Sequence, residues 1–523
     1  MTSIIITLVI VFYRIPLINI IGDKGMGYYS TALVIYLLLM TCIAYGLPKA
    51  ASSLLASQCS KGQYGYVYKT VQSILIFSFT AGIALSIAVF AGAEFIATNI
   101  MNATQSVYAI RCFAPCLFIV SMLGAFHSIF IGTRIVQISK TGTKIEELFV
   151  AVLSIIGALY FTNHYTSETK EAYSALGTAA GFTCGVTIAC IFMLIFYYGH
   201  HKKLYKLSLK KSNVIKETHW YFIKKIVITM LPFVLTLVVF HLSSLTDYAI
   251  FNRIMRVQGH KEQEYIELLG ILNGKYEFFI SLPLLIVNWY ASSKESILNK
   301  YGKENTFRKL NKVLERFLRY TMLYIIPCVI FMFLYSEPLM NLCFAGDNKM
   351  ASLMLKAGVV SIIFYSLSSI TSAALNALKE LYQVAKNAAI SMIIQVISLL
   401  IMLIVFEWEI LAVVFSRLIF SASLFIFNEH TLREKTGYIM EKKRTFYLPF
   451  TGAVIMGVIS YIVYFILDVF IADKVTILAV FPLNIILYLL SMIILGGITQ
   501  REMYSIPGGK FLAPLCKKLH LIT

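Results

Sequence analysis

Eight ionisable side chains stand where apolar sequence leaves little room for charge. Arg14, Arg111, Asp247, Arg253, Lys275, Glu277 and Arg417 lie within or at the ends of long apolar segments, and Glu146 opens another. A charge in hydrocarbon costs at least a few kcal/mol, so it is paired, faces a wet cavity, or serves function. Five of the eight are cations, and a guanidinium fork grips phosphate oxygens in two-point contact. Deep cations in this number point to an anionic substrate, with Arg14, Arg111, Arg253, Lys275 and Arg417 as its candidate contacts. Arg14 precedes Pro16, which removes a backbone donor and kinks a helix. Asp247 shares a helical face with Thr236, Ser243 and Ser244 by three- and four-residue spacing. Two readings of it stand: a structural pair with Arg253 or Lys275, or a gating or coupling group. Lys275 and Glu277, two residues apart, point to different helix faces. Glu146 and Glu147 begin a span where acids commonly partner the helix dipole. Glu146 is kept beside Asp247 and Glu277 as a candidate coupling or gating group. His127 and His241 read as packing histidines rather than metal ligands or proton relays.

The elements that must position these groups are membrane helices. The chain of 523 residues is 59% hydrophobic and 14% charged, with a mean hydropathy of +0.77. Soluble domains carry about 25% charge, and apolar runs near the roughly 20-residue spanning length recur throughout. The fold class is therefore all-α, a polytopic membrane protein of about fourteen spans. They cover 2–21, 27–47, 67–90, 107–131, 145–161, 173–198, 221–254, 269–288, 317–335, 353–375, 388–406, 410–427, 447–470 and 475–495. The first is read as a span, not a removed signal, because no basic stretch precedes it. The expected division is a six-helix lobe over 1–200, a basic cytoplasmic linker over 201–220 and a second six-helix lobe over 221–430. Two additional helices follow over 431–498, then a basic cytoplasmic tail over 499–523, whose mixed apolar and basic end could lie on the inner leaflet or stay disordered.

The net charge of +19 would point to nucleic acid in a soluble protein. Here Lys and Arg mark cytoplasmic loops. With the N-terminus inside, 33 of the 45 fall in inner segments and span ends, 8 outside and the rest within spans. That bias predicts both termini in the cytoplasm, and no basic stretch interleaved with aromatics suits nucleic acid. The nine cysteines show no metal or redox spacing. No phosphate-binding loop, zinc-binding pair or nucleophile elbow is present, so an enzyme and a bound cofactor are not expected. A weak repeat places Gly27-Tyr28 beside Gly274-Lys275-Tyr276, and the hairpin near Gly132 beside that near Ala377. The offsets are roughly 245 to 250 residues.

Several short stretches, in order along nearly the whole chain, carry a family resemblance. They are Arg14-Ile-Pro-Leu with Ile21-Gly-Asp-Lys-Gly-Met-Gly-Tyr-Tyr29, Gly46-Leu-Pro48, Phe113-Ala-Pro115, Leu242-Ser-Ser-Leu-Thr-Asp247, Phe251-Asn-Arg253, Gly274-Lys-Tyr276, and Asn428 onward to Gly437-Tyr438. The chain resembles the polysaccharide-transporter, stage V sporulation protein B-like branch of the multidrug/oligosaccharidyl-lipid/polysaccharide flippase superfamily, related to murein-precursor flippases. The resemblance implies two six-helix lobes around a cavity and movement of a lipid-linked sugar between leaflets by alternating access. It implies cavity cations that meet a pyrophosphate, matched by Arg14 and Arg253, and a recurrent acid matched by Asp247. The chain departs from that pattern at two places, where Ser53 and His127 stand in place of family charges.

The expected function is flipping of a lipid-linked oligosaccharide, a polysaccharide or peptidoglycan precursor, from inner to outer leaflet of a bacterial plasma membrane. Its partners are that pyrophosphate-linked substrate, the bilayer and envelope-synthesis enzymes. Two alternatives are a cation-coupled small-molecule exporter and a non-transporting scaffold for envelope synthesis.

Overall fold

The structure, a computed structural model, describes residues 12–165, 169–210, 217–304, 306–470 and 473–498. Among them there is no strand. The helices are α1 (Arg14–Met40), α2 (Gly46–Ser60), α3 (Tyr64–Phe95), α4 (Val107–Gly132), α5 (Val136–His164), α6 (Lys170–Lys210), α7 (His219–Val257), α8 (Glu262–Ile271) and α9 (Glu277–Lys303). They continue with α10 (Phe307–Leu334), α11 (Ser336–Cys343), α12 (Lys349–Gly358), α13 (Ser361–Ala377), α14 (Leu381–Ile404), α15 (Glu409–Thr436), α16 (Leu448–Asp468) and α17 (Asp473–Ile494). Helices suit this sequence because hydrocarbon offers the backbone no hydrogen-bond partner, so each segment must satisfy its own.

Twelve helices among the described residues are long and apolar enough to cross a membrane. The pair α12 and α13, bent by 48°, raises the number to thirteen if it forms one span. The expected first and second spans appear as one continuous run, 14–60, and the first lies partly outside the described residues. The run is broken at Gly22, whose φ of 70° and ψ of 175° only glycine adopts at low cost. The sequence places a kink beside Pro16, but Pro16 sits in the first turn of α1, where a missing donor costs nothing. The expected tail, 499–523, falls outside the described residues, as does part of the linker, 211–216. On either side of that gap α6 runs on to Lys210 and α7 begins at His219.

The chain divides into two compact units, Met1–Phe278 with Ala388–Val413, and Phe279–Asn387 with Val414–Thr523. In the first, α1 and α8 cross with backbone on backbone. A Cβ on Gly27 would stand 2.0 Å from the Ile266 carbonyl oxygen, and one on Gly270 1.7 Å from that of Asp23. The two contacts mirror each other, for Asp23 and Gly27 precede Ile266 and Gly270 by the same 243 positions. The repeat therefore pairs Gly27 with Gly270, not with Gly274. Small residues let membrane helices approach this closely, and van der Waals packing then drives their association. α5 and α6 meet in the same way, Gly157 against Gly177.

A second pair of local conformations repeats. Arg134, after α4, has φ 66°, and Lys379, after α13, has φ 65°. Each is followed by the same closing bond, Ile135 N–H to Phe130 O at 2.8 Å and Glu380 N–H to Leu375 O at 3.0 Å. This is the Schellman closure of a helix end, adopted twice by non-glycine residues.

In the second unit the polar side chains also find one another. Asn387 of α14 donates to Asn428 and Thr431 of α15 at 3.0 and 3.2 Å, and Asn428 donates to Ser372 of α13 at 2.8 Å. Tyr335 donates to Ser460 of α16 at 3.0 Å, and Ser491 of α17 to the Gly452 carbonyl at 2.9 Å. Past α15, Gly437 turns the chain with φ 66°. The buried Tyr438 phenol is pushed above its ordinary range by burial and then by Glu315, Glu429 and Glu441.

The crossing makes a direct prediction. Gly27→Ala or Gly270→Ala forces a methyl into a carbonyl oxygen and is expected to cost about 1–3 kcal/mol or more. Gly199→Ala in α6, where nothing lies within 4 Å, is expected to stabilise by about 0.5–1 kcal/mol. Thermal unfolding of the purified variants in detergent checks both.

Candidate functional site

The break at Gly22 restarts α1 at Asp23, which places a carboxylate at a helix N-terminus, where the dipole favours it. The α1/α8 crossing then carries Asp23 alongside α8. Lys275 follows α8 in a widened turn, Leu272–Tyr276, and donates from Nζ to Asp23 Oδ2 at 2.8 Å. The lysine side chain is 3% exposed and the aspartate 19%. Asp23 Oδ1 is buried and has no partner among the described residues. The sequence offers Asp247 as a partner for Lys275; the structure gives Lys275 to Asp23 instead.

Two further ties join the same elements. Tyr248 of α7 donates to Asn273 Oδ1, and Asn273 Nδ2 donates to Ser30 Oγ of α1 at 3.3 Å. Asn102, held in the left-handed region at φ 48°, is the second hub. Its side-chain oxygen accepts from Arg256 at 3.0 Å and its carbonyl from Tyr265 at 2.6 Å. Asn252 donates to the neighbouring Met101 carbonyl at 2.7 Å. Glu262 accepts from Thr104 Oγ1 at 2.6 Å and from the Gln105 N–H at 3.3 Å. At the exposed edge Lys24 lies 3.7 Å from Glu267. The result is a clasp in which 22–30 and 101–106, from the first half of the sequence, hold 248–276, from the second.

Asp247 belongs to a different cluster. It is fully buried, and its Oδ1 accepts from Gln395 of α14 at 2.7 Å. Ser243, one turn earlier on α7, donates to the other end of the same amide. The polar stripe read from the spacing is thus partly realised, with Gln395 as the group that gathers it.

The remaining candidates separate. Arg14 is half-buried and Arg253 exposed, and neither makes a hydrogen bond or ion pair among the described residues. Arg111 is not deep: it lies in the second turn of α4, side chain 44% exposed, and meets Glu94 at 3.5 Å. Glu146 is half-buried in the third turn of α5, and Glu277 half-buried at the start of α9. Arg417 is 7% exposed in α15, within the second unit. His127 hydrogen-bonds Ser139 at 2.7 Å and seats the α4–α5 hairpin, whereas Ser53 is exposed. Among the described residues no three His, Cys, Asp or Glu side chains are arranged to hold a metal ion.

Asp23, Asn102, Glu262 and Gln395 were not singled out from the sequence. Gln395 had a signal, a lone amide in an apolar span. Asn102 and Glu262 sit in short polar links, where polar residues carry no information.

Lys275 and Asp23 make a buried pair, and removing one partner of such a pair typically costs about 3–5 kcal/mol. Lys275→Met alone is expected to lose stability on that scale. Asp23→Asn combined with Lys275→Met returns most of the loss, because no charge is left stranded. A double-mutant cycle on thermal unfolding measures the coupling.

Comparison with known proteins shows what this chain is similar to. Residues 1–259 match the family described as Polysaccharide biosynthesis protein. The Lipid II flippase MurJ of Bacillus subtilis (strain 168) is 21% identical over 403 residues, covering 74% of this chain and 72% of that protein. Stage V sporulation protein B of the same organism is 19% identical over 389 residues, covering 73% and 72%. A solved structure of Lipid II flippase MurJ in an inward closed conformation superposes with a TM-score of 0.61 at 16% identity, covering 93% of this chain and 98% of that one. An inward-facing multidrug resistance MATE family transporter of the MOP superfamily superposes with a TM-score of 0.65 at 12% identity, covering 82% and 95%. The motif order, the helical membrane fold and these relatives agree in their likeness: the chain resembles the polysaccharide-transporter, stage V sporulation protein B-like branch of the multidrug/oligosaccharidyl-lipid/polysaccharide flippase superfamily.

Proposed function

We propose that this chain moves a lipid-linked oligosaccharide, bearing a pyrophosphate, from the inner to the outer leaflet of a bacterial plasma membrane. The observation that carries the reading is the contrast between cations. Lys275 is neutralised by Asp23 at 2.8 Å, whereas Arg14, half-buried at the start of α1, has no counter-charge among the described residues. An unneutralised guanidinium in an apolar helix is costly, and a pyrophosphate that accepts two-point hydrogen bonds would repay that cost. Arg253 is the companion cation in α7. Family and relatives support a sugar-lipid cargo in general; the sugar and the carrier follow from neither.

The distribution of Lys and Arg supports cytoplasmic termini. In that orientation the clasp around Asp23, Asn102 and Glu262 lies at the outer ends of its helices. It would hold that side shut, and its rupture would be the step that opens the cavity outward. Two lobes over 1–200 and 221–430, with extra helices over 431–498, are the proposed moving parts. Asp247, with Gln395, is proposed as the coupling or gating group. Arg111, Arg417, Glu146 and Glu277 are secondary candidates for binding or coupling. Envelope-synthesis enzymes are the proposed protein partners.

The test is leaflet distribution of a fluorescent lipid-linked sugar in proteoliposomes. The parent chain is expected to equilibrate it, and Arg14→Ala with Arg253→Ala to abolish flipping while the protein remains folded. Unchanged flipping by the double variant overturns the roles of the two arginines. A parent chain that moves drugs but not the lipid-linked sugar identifies an exporter instead.

A further inference from the structure

Between α3 and α7, both in the first unit, lies a groove that the transport reading does not use. Its volume is about 470 Å³, within the range of roughly 300–1,000 Å³ typical of small-ligand pockets. Phe77 and Thr80 of α3 line it with Trp220, Ile223, Lys224 and Val227 of α7. The Thr80 hydroxyl is spent on its own helix, donating to the Ile76 carbonyl at 2.8 Å. Lys224 is exposed and makes no hydrogen bond or ion pair among the described residues. The groove is therefore apolar but for one uncommitted ammonium.

The groove also has a direction. α7 begins at His219, so Trp220 is in its first turn and Lys224 one turn further. The indole is 69% exposed, and exposed indoles in membrane proteins settle at headgroup level. Val227 lies a further turn along, toward the apolar middle of the helix. Lys225 beside Lys224, and Lys69 in the second turn of α3, make this end of the two helices basic. An ammonium at headgroup depth above an apolar slot complements a lipid with a phosphate charge above an acyl chain. A zwitterionic lipid carries its own cation and satisfies it less well.

We infer that this groove is a binding site for one anionic phospholipid of the leaflet at the basic end of α7. One acyl chain lies against Phe77, Ile223 and Val227, the phosphate sits on Lys224, and Trp220 packs at the glycerol level. The inference depends neither on the transported substrate nor on which membrane face is cytoplasmic.

The chain contains three tryptophans, Trp220, Trp289 and Trp408, so the full-length W289F/W408F variant reports on Trp220 alone. It is reconstituted in phosphatidylcholine vesicles containing a minor fraction of either brominated phosphatidylglycerol or brominated phosphatidylcholine. Brominated phosphatidylglycerol is expected to quench Trp220 more strongly at equal fraction. One lysine near an anionic headgroup is worth about fivefold in binding, so Lys224→Gln is expected to remove most of that preference. Lys225→Gln, one residue away but outside the groove, is expected to retain it. Equal quenching by the two lipids in the parent overturns the site. Equal losses in Lys224→Gln and Lys225→Gln overturn it in favour of diffuse surface attraction. Relief of quenching by equimolar polyprenyl phosphate assigns the groove to an isoprenoid phosphate and overturns the phospholipid reading.

Discussion

The close crossing of α1 and α8 is the constraint on which the first unit depends. Two helices meet there with no side chain between them, at Gly27 and Gly270. In a bilayer no hydrophobic gain drives helices together, so contact of this closeness supplies the attraction. It also sets the chemistry. Only because the backbones touch does Asp23 reach the neighbourhood of Lys275, and only because Gly22 breaks α1 does Asp23 start a helix. The buried pair, the Asn273 bridge and the Asn102 hub all hang on that approach.

Neutralisation is the second theme. Low dielectric makes an unpaired charge or amide expensive. The interior of the first unit answers with reciprocal pairs: Lys275 with Asp23, and Asp247 and Ser243 with the two ends of Gln395. The second unit does the same with Asn387, Asn428 and Ser372. Against that background the guanidinium of Arg14, with no hydrogen bond or ion pair among the described residues, stands out. The charges that are neutralised within the fold and those that have no counter-charge among the described residues are different residues, although they look alike in the sequence.

The repeat is clearer in local geometry than in residue identity. Asp23 and Gly27 correspond to Ile266 and Gly270, sharing one glycine and one backbone contact. Arg134 and Lys379 share a left-handed helix closure and a positive charge. What persists between the halves is where the backbone must turn or touch, because those demands constrain few residues but constrain them tightly.

The all-α membrane class was legible in the sequence, because hydrocarbon thickness and backbone satisfaction write themselves into length and hydropathy. The anomalous charges were legible for the same reason: polar residues are conspicuous against an apolar run. Their partners were not. Asp23 and Lys275 lie 252 positions apart, and no local pattern links them. The sequence could offer Asp247 only as a near neighbour of Lys275. The span read as 107–131 already put Arg111 near a helix start, but its partner Glu94, 17 positions away on another helix, was not legible. The tertiary structure decided which charges are neutralised, through one backbone crossing that brings distant segments within hydrogen-bond reach.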